Sequence, residues 1–280
     1  MNLGRTRSEL RKYNIRPSKR LGQNFLIDAN IQDKIINAIG VDTGDVILEI
    51  GPGFGTLTER LCNNAEKVIA VEKDKRLCDF LSVNNPAGNL EIINADILDY
   101  LDGIDAINEN LKVVGNLPYY ISSPIIIRLI KKRGFFRAIF VTVQKEFADR
   151  LVAGPGTKEY GSISCFAQFY TDPAIMFNIG RKCFYPAPKV ESSFVRLAVR
   201  EKGLYLTDEE KLFKIIRTSF GKRRKTILNS LKSCDLFSSS KEIIEALGRA
   251  GISHNRRPET VSLEEFIRLT KESSIFGLGS

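Results

Sequence analysis

Histidine is nearly missing from this chain: His254 is the single one in 280 residues. A lone histidine leaves almost no room for a Ser-His-Asp triad or a histidine metal cluster, so any catalysis must activate its substrate by other means. Cysteine is sparse as well. Cys62, Cys78, Cys165, Cys183 and Cys234 are scattered with no C-x-x-C pair, an odd count that argues against a disulfide framework and against zinc. They read as reduced, mostly buried thiols of a cytosol-like compartment. No apolar run approaches the roughly 20 residues that span a bilayer, and no apolar stretch of signal-peptide type follows Met1. The expectation is a soluble, cytoplasmic protein with no membrane partner and no metal. Internal repeats and low-complexity segments are absent too.

Charge is plentiful but unevenly placed. The net charge of +9 divides into +6 over residues 1–20, −1 over 21–200 and +4 over 201–280. Basic ends on a neutral middle suit a clamp for a polyanion, with solubility as the bland alternative. The arginine-rich start superficially resembles an organelle transit peptide. An arm that contacts nucleic acid is the preferred reading.

From Leu26 to Arg200 the pattern alternates between helix and strand. Asp28 can cap a helix whose Ile31, Ile35, Ile36 and Ile39 share a face, with Gly40 as its stop. Residues 46–50 read as a buried strand, followed by a glycine loop and a helix carrying Leu57 and Leu61. Further strands fit residues 68–72, 90–94, 113–114 and 139–143. Repeated βα units with apolar strands predict an α/β fold with a doubly wound, Rossmann-like parallel sheet. Residues 175–179 and 194–199 can pair antiparallel around the loop 183–188. Beyond residue 200 the strands stop, and Thr207 with Glu210 and Ser262 with Glu265 form capping-box patterns. The predicted organisation is therefore a basic arm (1–20), a catalytic domain (21–200) and a small all-helical domain (201–280).

Gly51-x-Gly53-x-Gly55 follows a strand and opens a helix, a placement that brings backbone N–H groups close to a ligand. Its spacing differs from the dinucleotide G-x-G-x-x-G, which disfavours a nicotinamide cofactor. Glu72 ends the next strand, about 20 residues on, where a carboxylate meets ribose hydroxyls. Asp96 ends the third strand and can accept from the exocyclic amine of a purine. A lone glycine loop is often only a tight turn, and a lone acid at a strand end only a solvated cap. All three in order, on successive strand ends, describe a site for an adenosine-bearing cofactor without a pyrophosphate. S-adenosylmethionine fits best.

At the end of the fourth strand stands Asn116-Leu117-Pro118-Tyr119. The exocyclic amine of adenine is a poor nucleophile because its lone pair is delocalised into the ring. Acceptors on both N–H bonds favour a pyramidal nitrogen that can attack a sulfonium methyl. The Asn116 side-chain oxygen and the Leu117 carbonyl are two such acceptors, and Pro118 fixes the backbone that presents the second. Tyr119 offers a face for a flipped base, a contact of roughly 1–3 kcal/mol. If the ring acts by stacking, Tyr119→Phe should be tolerated, whereas Tyr119→Ala should not. A turn with a packed tyrosine is the bland alternative for any one of these residues.

With these motifs the chain resembles the ribosomal RNA adenine-N6 dimethyltransferases, in particular the bacterial enzymes of small-subunit ribosomal RNA. The likeness covers nearly the whole chain. It is carried by residues 21–26 (LGQNFL), 49–53 (EIGPG), 116–119 (NLPY), 184–190 (FYPAPKV) and 255–258 (NRRP). It implies cofactor contacts at Asn24, Leu26, Gly51, Glu72, Asp96 and Asn116, and a Phe184 that closes over the second face of the target base. It also implies a substrate: two adjacent adenosines in the loop of the 3′-terminal hairpin of small-subunit ribosomal RNA. Each would receive two methyl groups, within an immature small subunit, from a monomeric enzyme. The residues by themselves support only an adenosine in single-stranded or loop RNA. The run Lys222-Arg223-Arg224-Lys225 is the place expected for phosphate contacts, against a solvated helix face as the alternative. Three rivals stand beside this reading. One is a large-subunit ribosomal RNA adenine-N6 methyltransferase that confers antibiotic resistance, disfavoured by the C-terminal motifs. Another is a glutamine-methylating enzyme, which typically has a second proline where Leu117 stands. The last is a ribosome-assembly factor acting mainly by binding.

Overall fold

The computed structural model describes residues 3–18, 20–84, 88–104, 110–200, 208–222 and 224–273. Lys19, Thr207 and Arg223 lie outside the described residues. The helices are α1 (Leu3–Lys12), α2 (Ala29–Ile39), α3 (Thr58–Cys62), α4 (Lys75–Asn84), α5 (Ile97–Asp102), α6 (Ser122–Lys131), α7 (Lys145–Val152), α8 (Ser162–Tyr170), α9 (Glu209–Gly221), α10 (Ile227–Leu231), α11 (Ser240–Arg249) and α12 (Leu263–Ser273). The strands are β1 (Phe25–Leu26), β2 (Val46–Ile50), β3 (Lys67–Glu72), β4 (Leu90–Asn94), β5 (Leu111–Asn116), β6 (Phe136–Gln144), β7 (Thr171–Ile179), β8 (Phe184–Tyr185) and β9 (Ser192–Val199). None of the described helices is long and apolar enough to cross a membrane.

Two units divide the chain: residues 1–148 with 172–199, and residues 149–171 with 200–280. In the first, seven strands lie in the order β4-β3-β2-β5-β6-β9-β7. Strands β4 to β6 run parallel, and β9 is antiparallel to β6. The expected doubly wound sheet is therefore present. Its central strands are buried because helices cover both faces: Ile47, Leu48, Val113 and Val114 are fully enclosed. Order reverses between β2 and β5, which opens a crevice at the carboxyl ends of those strands. Near the opposite end, buried Lys112 donates to Asp45 Oδ2 at 2.6 Å and Arg137 pairs with the other carboxylate oxygen. Burial pushes the Asp45 carboxyl up, but its hydrogen bonds and the two cations outweigh this and hold it below its ordinary value.

Local signals hold where they were strong. Asp28 accepts from Ile31 N at 3.0 Å at the start of α2, and Gly40 closes that helix in the left-handed conformation, φ 58°. The hairpin expected around residues 183–188 is more elaborate. β7 and β9 are neighbours, but the loop between them carries β8, which pairs antiparallel with β1 through Phe25↔Tyr185 and Leu26↔Phe184. The N-terminal arm is a helix with two faces. Leu10 of α1, with Ile15 just beyond it, packs against Phe54, Leu77 and Phe80, while Arg7, Arg11 and Lys12 face solvent.

The second unit is helical, and it takes in residues 149–171 as well as the chain beyond 200, whereas the sequence pattern places its border at 200 alone. The cause is aromatic packing across a long stretch of chain. Phe166, Phe169 and Tyr170 of α8 meet Phe213 of α9 at ring separations of 5.3, 5.4 and 5.6 Å. Asp208 caps α9 by accepting from Lys211 N at 3.0 Å, and Ser262 and Glu265 form the expected reciprocal box at α12.

Candidate active site

The crevice at the carboxyl ends of the strands is a cleft of about 1120 Å³, open solvent at its mouth included. Asn24, Leu26, Gly51, Glu72, Asp96, Asn116, Leu117 and Tyr119 all line it. Gly51 leaves β2 with φ 66°, and a Cβ there would meet nothing within 4 Å. The turn therefore needs glycine for its backbone, and it leaves open space in which a ligand can approach. Gly53 has φ 60° and a tighter reason: its Cβ would lie 3.0 Å from the Phe25 ring.

Glu72, at the end of β3, is only 7% exposed. Its carboxylate accepts from Gly53 N at 3.3 Å and from Asp74 N at 2.9 Å, which aims it at the glycine turn. Burial raises its pKa, opposed by those backbone donors. Asp96 caps α5 by accepting from Leu98 N at 2.9 Å, and its other oxygen takes Lys73 Nζ at 2.6 Å. Lys73 holds this carboxyl below its ordinary range, so it stands ionised as an acceptor.

Asn116 ends β5. Its Nδ2 donates to the Asn24 carbonyl at 2.8 Å, a bond that fixes the amide with the side-chain oxygen as the acceptor left over. Asn24 in turn donates its own Nδ2 to Gly22 O at 3.1 Å. Leu117 is pinned by its N–H to Thr142 O at 3.1 Å, and the Pro118 carbonyl accepts from Ser122 Oγ at 3.0 Å. Tyr119 opens a single 3₁₀ turn, half-buried, and its hydroxyl lies 2.5 Å from Ser192 Oγ.

Phe184 is not brought into the cleft. It is 2% exposed and packs with Leu26, Phe140 and Phe194 in the core, on strand β8 where it pairs with Leu26 of β1. Among the cleft residues that the sequence reading did not assign, Thr6 and Glu49 stand out by their burial. Thr6 of α1 forms part of the wall, fully buried. Nothing in its local pattern marks it. Glu49 also lines the cleft, 2% exposed, with Oε2 lacking any hydrogen-bond partner. Burial pushes its pKa up to about 7, the nearby Glu72 adds to the shift, and the Thr58 hydroxyl opposes it. The signal was present: a carboxylate inside an otherwise apolar strand.

In the helical unit, Lys222, Arg224 and Lys225 are exposed. Backbone bonds from Ile227 N to Arg256 O (2.7 Å) and from Leu228 N to His254 O (3.4 Å) bring the loop 253–257 beside them. His254 and Arg257 are exposed there, whereas Arg256 is engaged by both oxygens of Glu265 at 2.5 and 2.9 Å. Exposed basic side chains from two distant segments are thus brought close together.

The model of a family described as ribosomal RNA adenine dimethylase matches residues 14–274. The ribosomal RNA small subunit methyltransferase A of Clostridioides difficile is 44% identical over 268 residues, covering 93% of this chain and 92% of that protein. Its namesake in Alkaliphilus oremlandii is 42% identical over 269 residues, with 94% and 93% covered. Among solved structures, a dimethyladenosine transferase from Plasmodium falciparum matches with a TM-score of 0.79 at 27% identity, over 90% of this chain and 98% of that one. The 23S rRNA methyltransferase ErmE matches with a TM-score of 0.71 at 25% identity, over 90% and 100%. Since the family model spans almost all of the sequence and relatives exceed 40% identity over most of both chains, the chain belongs to the ribosomal RNA adenine dimethylase family.

Proposed function

We propose that the protein transfers methyl groups from S-adenosylmethionine to the N6 amines of two adjacent adenosines in the 3′-terminal hairpin loop of small-subunit ribosomal RNA. It would act as a monomer in the cytoplasm on an immature small subunit. The observation that carries this reading is the Asn116 amide: its nitrogen is committed to Asn24 O, so its oxygen is available to accept an amine proton at the cleft.

The cleft suits the cofactor by its carboxyl groups. Glu72 is a buried carboxyl and Asp96 an ionised one, acceptors matched to ribose hydroxyls and a purine amine, with the buried Glu49 beside them. Asn24, Leu26, Gly51, Glu72, Asp96 and Asn116 would hold it. When bound, S-adenosylmethionine supplies an electrophilic methyl group. The chain's own task is to ready the amine. The Asn116 oxygen and the Leu117 carbonyl accept its two N–H bonds, and Tyr119 stacks on the extruded base. The exposed Lys222, Arg224 and Lys225, with His254 and Arg257 alongside, are suited to phosphates, as are Arg7, Arg11 and Lys12 of α1.

Methylation of large-subunit RNA is not favoured. The relatives above 40% identity are named for the small subunit, and the 23S enzyme stands at 25%. The test is to incubate the protein with labelled S-adenosylmethionine and immature small subunits, then map the labelled positions. Two neighbouring dimethylated adenosines near the 3′ end are expected. Label elsewhere, or in large-subunit RNA only, would overturn the reading.

A further inference from the structure

Tyr119 and Ser192 are 73 residues apart, yet their hydroxyls meet at 2.5 Å. Ser192 is fully buried, does not line the cleft, and opens β9 opposite Gln144 at the end of β6. Its neighbour Ser193 is already committed to Asn178 Oδ1 at 2.7 Å. Stacking requires only a ring face, so a buried serine aimed at the ring's far end adds nothing to stacking itself. What it changes is freedom. A tyrosine is attached at Cβ, and holding its hydroxyl as well removes the swing of the ring about χ1. Burial keeps that hydroxyl protonated, because it raises the phenol pKa.

We propose that Ser192 is a positioning residue that acts through Tyr119, holding its ring in the plane a flipped adenine must meet. The proposal rests on the reading that Tyr119 stacks on the target base. A preset ring spares the ordering that base capture would otherwise require, and small misplacements of positioning groups slow chemistry strongly. It also revises an expectation drawn from the sequence: Tyr119→Phe keeps the ring but loses its anchor, so it should not be fully tolerated.

The test compares Ser192→Ala, Tyr119→Phe, their double variant and Tyr119→Ala. Readouts are single-turnover methyl transfer on RNA saturated with enzyme, thermal stability, and quenching of 2-aminopurine placed at the target position. Each single variant should slow transfer roughly tenfold, equivalent to about 1.4 kcal/mol, with RNA affinity unchanged and quenching weakened. Each should also lower stability, since one buried hydroxyl loses its partner. The double variant leaves no orphan hydroxyl, so stability should recover while transfer stays slow. A purely structural serine would instead restore both together, and that result overturns the proposal. So does wild-type transfer in Ser192→Ala and Tyr119→Phe when Tyr119→Ala is slow. Wild-type transfer in Tyr119→Ala overturns the stacking reading itself. If Ser192→Ala does not fold, Tyr119→Phe breaks the same bond from the other side and decides the matter.

Discussion

Glu49 offers a test of the site that needs no substrate. Its carboxyl is pushed from an ordinary 4.5 up to about 7 by burial, with the neighbouring Glu72 adding to the shift. Between these two values the folded chain holds a proton that the unfolded chain has lost. The sign follows directly: stability contributed here is greatest below about pH 4.5 and falls as pH rises to about 7, beyond which the loss is complete. At about 1.4 kcal/mol per pH unit, the full loss is about 3 kcal/mol. Glu49→Gln cannot titrate. Its amide must still be accommodated beside the Thr58 hydroxyl in a buried place, a cost of roughly 1–3 kcal/mol that does not vary with pH. The informative quantity is therefore the difference between the two proteins as pH changes. Urea unfolding at pH 5 and pH 8 should show Glu49→Gln gaining about 2 kcal/mol or more on the parent across that interval. Parallel stability profiles would refute the buried, proton-holding carboxyl.

Glu72→Ala should weaken S-adenosylmethionine binding by at least tenfold in calorimetry while circular dichroism stays unchanged; equal affinity would remove the ribose role from this residue. Asn116→Ala should nearly abolish single-turnover transfer with RNA binding intact, because the acceptor left free by Asn24 is gone. Asn116→Asp should keep appreciable activity if accepting a hydrogen bond is the role, although it loses the donor to Asn24. Replacing Lys222, Arg224 and Lys225 with glutamine should flatten the dependence of subunit affinity on salt, by about one unit of slope for each phosphate no longer neutralised. A slope unaltered from the parent's would make this surface only a solvated face.

Much of the fold is written in short-range patterns. The Asp28 cap, the Gly40 stop, the apolar strands, the glycine turn and the Ser262–Glu265 box each depend on residues within a few positions of one another. Periodicity and turn chemistry suffice to read them. The acid at the end of β3, the acid just past β4 that caps α5 and the amide at the end of β5 were legible for the same reason, since each is a local feature. What tertiary structure decided is how distant strand ends meet. Asn116 reaches Asn24 across 92 residues, and this alone determines which amide atom faces the cleft. Phe184 reads in the sequence as a base-closing ring, and in the folded chain it packs with Phe140 and Phe194 in the core and does not line the cleft. Residues 149–171 join the helical unit through aromatic contacts with Phe213 that no local period announces. Glu49 reads as one odd residue in a strand until the sheet order encloses it near Glu72 and leaves its oxygen without a partner. Backbone preferences act over one turn or one strand, whereas burial, pKa and partner choice depend on which segments the β4-β3-β2-β5-β6 order lays side by side.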